Sequence, residues 1–124
     1  MKVLSIEQIN KLKELGVDVK PKGMCLMYTS DSSDNYYLKY GESTCEDDIK
    51  AFGLQDLIEL LPVYIDIYGL VIDVSAEIIG YEHYSGDFAE RVSFYKKDQT
   101  FINAAYNMLL WVIENGHLKK SKTY

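Results

Sequence analysis

The sequence predicts an α+β fold, an antiparallel sheet made of a hairpin plus a meander, with a C-terminal helix packed on one face and two further helices. Three observations carry this. Apolar residues recur at helical spacing in three stretches, near residues 6–15, 54–61 and 99–115. Between residues 63 and 95 the apolar period falls to two. The connections there are too short for the crossover that parallel neighbours require.

The first helix is expected over residues 6–15. Ser5-Ile-Glu-Gln8 fits a capping box, in which the serine hydroxyl and the glutamine side chain satisfy each other's backbone amides. Ile6, Ile9, Leu12 and Leu15 form its apolar stripe, and Gly16 stops it. Met24-Cys-Leu-Met-Tyr28 reads as a core strand, and Tyr36-Tyr-Leu-Lys-Tyr40 as its hairpin partner across the turn formers Ser30–Asn35. The acidic stretch 42–50 is a connector. Leu54, Leu57, Ile58 and Leu61 line one face of a second helix, which Pro62 ends because it lacks an amide hydrogen.

Val63, Ile65 and Ile67 alternate, as do Leu70, Ile72, Val74 and Ala76 against Asp73, Ser75 and Glu77. Gly69 marks either a hairpin tip or a bulge. A turn at Ser85-Gly86-Asp87 divides a strand over 78–84 from one over 88–95. The closing helix starts from a cap at Asp98 or Thr100 and ends before Gly116. Its polar stripe, Asn103, Asn107 and Glu114, is narrow and interrupted by Leu110, so it must be covered on more than one side.

The 124 residues suit one globular domain, with 119–124 a flexible tail. No secretion signal is read at the N-terminus, because Glu7 and Lys11 precede any apolar run. No apolar run approaches the roughly 20 residues of a membrane span. With only Cys25 and Cys45, the expected setting is a reducing cytoplasm. Cys45 beside Glu46, Asp47 and Asp48 is a poor thiolate, which argues against a catalytic cysteine.

Charge is unevenly placed. Between Asp31 and Glu59 eight acidic residues face two basic ones, which accounts for the whole net charge of −6. An acidic lobe of this kind repels nucleic acid, whose phosphates need a basic footprint. Tyrosine is abundant, at 11 residues, a type that suits sheet faces and partner surfaces alike.

Candidates for chemistry are few. His83 and His117 stand far apart, and no Cys-x-x-Cys or His-x-x-x-His pair exists, so no metal or other cofactor is expected. Asp31-Ser-Ser-Asp-Asn35 lacks the glycine and closing glutamate of a calcium loop, and Glu46-Asp47-Asp48 reads as a solvated acidic loop. The eight glycines are scattered singly, which excludes a glycine-rich phosphate loop, and Arg91 is the only arginine.

Ala51-Phe-Gly-Leu-Gln-Asp-Leu-Ile-Glu-Leu-Leu-Pro62, followed by Asn103-Ala-Ala-Tyr-Asn-Met-Leu-Leu-Trp-Val-Ile-Glu-Asn-Gly-His-Leu118, resembles small proteins encoded by prophages and mobile elements of gut anaerobic bacteria. Such proteins share an opening helix ending in Glu-Leu-Gly, matched by Glu14-Leu15-Gly16, and a closing helix ending in Glu-Asn-Gly. This chain departs from them at Gly53, where a threonine would cap the second helix. The group has no established activity, so the resemblance transfers no catalytic residue. It implies a cytoplasmic accessory protein of a mobile element.

The expectation is a non-enzymatic module that binds a host or phage protein, not nucleic acid or membrane. The residues for this are Asp31, Asp34, Tyr36, Tyr40, Glu42, Glu46, Asp47 and Asp48, the carboxylates steering a basic partner and the tyrosines anchoring it. The alternative is a small-molecule or enzymatic pocket between the sheet and the closing helix, using Tyr81, His83, Tyr84 or Arg91. A closing helix apolar on so many faces is also suited to a homodimer contact.

Overall fold

The capping box forms as the sequence predicts. In the computed structural model, which describes residues 2–30, 35–83, 96–97 and 100–118, Ser5 Oγ accepts from the Gln8 amide at 3.1 Å. Gln8 Oε1 in turn accepts from the Ser5 amide at 3.0 Å. The helix α1 spans Ile6–Glu14, buries Ile9 and Leu12, and passes into Gly16 at φ +100°, where glycine costs least.

Two compact units follow, one over Val3–Gly53 and one from Leu54 onward. In the first, β1 (Cys25–Ser30) pairs antiparallel with β2 (Tyr36–Gly41), Leu26 opposite Tyr40 and Tyr28 opposite Leu38. The expected core strand thus starts one residue late, and Met24 is exposed. The acidic connector contains a short strand that alternation did not reveal. Ile49–Lys50 is β3, which takes the other edge of β1. The sheet order is β2-β1-β3, so the hairpin does not join the meander in one sheet. Met27, fully buried, sits at the centre of this sheet. The Leu4 amide donates to the Phe52 carbonyl at 2.9 Å, and the Tyr28 hydroxyl donates to the Leu4 carbonyl at 2.7 Å.

In the second unit α2 spans Leu54–Leu60 and ends at Pro62, with Leu57 and Leu61 buried. The meander follows, as β4 (Tyr64–Ile65), β5 (Tyr68–Asp73), β6 (Ile78–Glu82) and β7 (Lys96–Lys97), in the order β4-β5-β6-β7. Gly69 is neither a tip nor a bulge. It lies within β5 opposite Tyr64, whose ring would stand 3.6 Å from a methyl group at that position. The hairpin tip is Asp66-Ile67, with Asp66 at φ +53°.

The alternation through Val74 and Ala76 does not continue as strand. Asp73 Oδ1 accepts from the Ala76 amide at 3.1 Å and from Ser75 Oγ at 2.8 Å, closing a turn that Glu77 completes at φ +55°. The chain therefore reverses after Asp73, leaving Val74 exposed. The predicted turn at 85–87, the strand over 88–95, Asp98 and the tail 119–124 lie outside the described residues.

The closing helix, α3, spans Phe101–Glu114, capped by Thr100, whose hydroxyl accepts from the Asn103 amide at 3.3 Å. It packs against α2, β6 and β7, which covers it on more than one side. Ala104, Ala105, Met108, Leu109 and Val112 are fully buried. Asn103, Asn107, Leu110, Trp111 and Glu114 form the opposite, less buried stripe. Trp111 stacks on His117 with ring centroids 5.3 Å apart, a position the Gly116 turn at φ +74° makes reachable.

Candidate functional site

The loop between β2 and β3 is built around one carboxylate. Asp48 Oδ2 accepts from Ser43 Oγ at 2.9 Å, the Thr44 amide at 3.2 Å and the Cys45 amide at 3.3 Å. The Thr29 hydroxyl on β1 donates to the same carboxylate, and this bond is the largest influence holding the Asp48 carboxyl below the usual aspartate range. Burial opposes it, and the loop donors reinforce it. Sequence places Asp48 among partner-binding acids, and the structure corrects this. Asp48 is only 4% exposed and organises the loop from within.

With Asp48 turned inward, Glu42, Glu46 and Asp47 are the exposed acids of this loop. They stand beside β2, whose Tyr36, Leu38 and Tyr40 share one face. Tyr36 is 39% exposed and Tyr40 66%. Tyr37 and Leu38, passed over in the sequence, are exposed too, at 52% and 44%. The signal that finds them is the absence of alternation in Tyr36-Tyr-Leu-Lys-Tyr40, which offers apolar groups to both faces. Lys39 is half-buried, its Cε 3.5 Å from where a methyl group at Gly41 would stand. Asp31 and Asp34 lie outside the described residues.

The acidic segment read from the sequence is divided between the two units, and not all of it is exposed. Asp56 and Glu59 sit on α2 of the second unit, and Asp48 is interior. Next to the exposed acids is an open depression of about 670 Å³, lined by Lys20, Pro21 and Ser43–Asp48. Lys20, its one cation, stands 3.9 Å from Asp18. Among the described residues no three His, Cys, Asp or Glu side chains cluster as metal ligands would.

Of the residues proposed for a pocket between the sheet and the closing helix, Tyr81 and His83 are among those described. Tyr81 is fully buried, and its hydroxyl donates to the Pro62 carbonyl at 2.9 Å; burial pushes its pKa far above the ordinary phenol value. His83 meets Tyr68 edge to face at 5.8 Å. Tyr84 and Arg91 lie outside the described residues. No helix among the described residues is long and apolar enough to cross a membrane. Comparison with family models, curated proteins and solved structures finds no match for this chain.

Proposed function

We propose that the protein is a non-enzymatic binding module whose β2 hairpin and acidic loop dock a basic surface of another protein. The observation that carries this is the exposure of Tyr36, Tyr37, Leu38 and Tyr40 on one strand, directly followed by exposed Glu42, Glu46 and Asp47. Aromatic side chains supply contact area at little conformational cost, and carboxylates beside them raise the encounter rate with a basic partner. Unpartnered apolar side chains on a strand are otherwise a liability in water. The resemblance to prophage-encoded proteins makes the partner a host or phage protein, met in the cytoplasm.

The test is capture from a bacterial host lysate with the native chain and with a Glu42→Lys/Glu46→Lys/Asp47→Lys variant. All three positions are exposed, so the fold tolerates the changes. A partner retained near about 50 mM salt, released near about 500 mM, and absent with the variant is the expected result. A capture profile identical for both chains at both salts would sink the proposal.

A further inference from the structure

Edge strands expose unpaired backbone N–H and C=O groups, and proteins blunt them by keeping them short or by placing lysine, proline or bulges on them. Among the described residues the two sheets have four edges. Three of them, β3, β4 and β7, are two residues long. The fourth, β2, runs six residues, Tyr36–Gly41, in unbroken register with β1. It holds no proline and no bulge, and its one lysine is half-buried. Apart from that one half-buried lysine, β2 lacks these protections, and it also exposes three tyrosines and a leucine.

We infer that the outer edge of β2 accepts an extended, basic segment of another protein as an added strand. This inference rests on the proposed protein-binding function and specifies its geometry. Alternate residues of an edge strand direct their backbone groups outward, so the incoming chain gains ladder hydrogen bonds along β2. Its side chains then fall beside those of β2 at a period of two. On the face of Tyr36, Leu38 and Tyr40, a lysine or arginine would lie over a tyrosine ring and an aliphatic residue would lie beside Leu38.

Charge selects the occupant. The strand and the loop after it, residues 36–48, hold one lysine and four carboxylates, of which only Asp48 is internal. Glu42, directly after β2, and Glu46 and Asp47 in the same loop favour a cationic segment. A second copy of this chain pairing through β2 brings one lysine and four carboxylates over residues 36–48, so it supplies no cationic segment to these acids.

Three peptides test this: an acetylated, alternating Lys-Val octamer; a Glu-Val octamer of the same length; and the Lys-Val octamer N-methylated at every residue. N-methylation at every residue removes the donors on both edges while keeping charge, and the protein itself is unaltered. Binding is followed by amide exchange and chemical shifts at moderate salt. The expected result is protection at Tyr36–Gly41 by the Lys-Val peptide, with affinity at least about tenfold above that of the other two, the size of losing two or more ladder bonds. Equal binding of the methylated peptide overturns the added strand but leaves an acidic docking surface standing. Protection centred on another element, or no binding by any peptide, also overturns it. So does concentration-dependent protection of Tyr36–Gly41 without peptide, which would assign the edge to a second copy. The lysate experiment above fails or succeeds independently of these outcomes.

Discussion

Replacing Asp48 by asparagine isolates the group that shapes the acidic loop. The carboxylate accepts four hydrogen bonds, from Thr29, Ser43, Thr44 and Cys45, while staying 4% exposed. Asparagine keeps the shape but exchanges one acceptor oxygen for a donor, which must face at least one of those donors. A hydrogen bond to a charged group contributes about 1.5–3 kcal/mol, and Ser43, Thr44 and Cys45 are exposed enough for water to replace part of their loss. The expected destabilisation at neutral pH is about 2 kcal/mol.

The pH dependence supplies the check. The folded-state pKa of Asp48 is lowered from the ordinary 3.8, with the Thr29 hydrogen bond its largest cause. The stabilisation is therefore complete above that ordinary value and is lost as pH falls through the lower folded-state one. Urea unfolding of native chain and Asp48→Asn at pH 7 and again near about pH 2.5 gives the difference directly, because the other carboxylates cancel between the two chains. The gap should narrow in acid. A gap below about 0.5 kcal/mol at pH 7, or one that stays constant with pH, would refute the account of the loop.

Leu57→Ala, at a fully buried site on α2, should cost about 2–5 kcal/mol in denaturant unfolding, through lost apolar transfer and the cavity left behind. Tyr81→Phe removes the donor to the Pro62 carbonyl and should cost about 1 kcal/mol at pH 7. Burial raises the Tyr81 pKa above 10.0, so the native chain keeps this contribution below that pH and loses it as pH climbs above it. Tyr28 and Tyr106 shift in the same direction, so Tyr81→Phe should flatten the alkaline slope without abolishing it. The two glycine-to-alanine changes should part company in thermal melts. Gly116→Ala should cost about 1 kcal/mol because its φ is +74°, although nothing stands within 4 Å. Gly69→Ala, with ordinary φ and a Tyr64 ring at 3.6 Å, should change stability by less than about 0.5 kcal/mol.

The sequence by itself determined the elements whose cause is local. Ser5 and Gln8 sit three residues apart, and that spacing alone defines the capping box. Pro62 ends α2, and Gly116 takes the left-handed turn after α3, for reasons contained in their own backbones. The hairpin of β1 and β2 was legible from two apolar runs around turn residues, and Tyr36 and Tyr40 were legible as surface aromatics.

What only the tertiary structure decided depends on partners distant in sequence. Ile49–Lys50 is too short to announce a strand, and becomes one because Met27 and Tyr28 offer an open edge. Asp73 sits in an alternating run, yet its carboxylate captures Ala76 and Ser75, and local side-chain hydrogen bonding outcompetes the ladder. Asp48 follows two exposed acids and differs from them in nothing the sequence shows. Its role is set by Thr29, nineteen residues upstream, and by a loop that closes over it. Charge and periodicity are properties of a chain, whereas burial belongs to the folded surface, and it is burial that separates the acid that builds this loop from the acids that face the solvent.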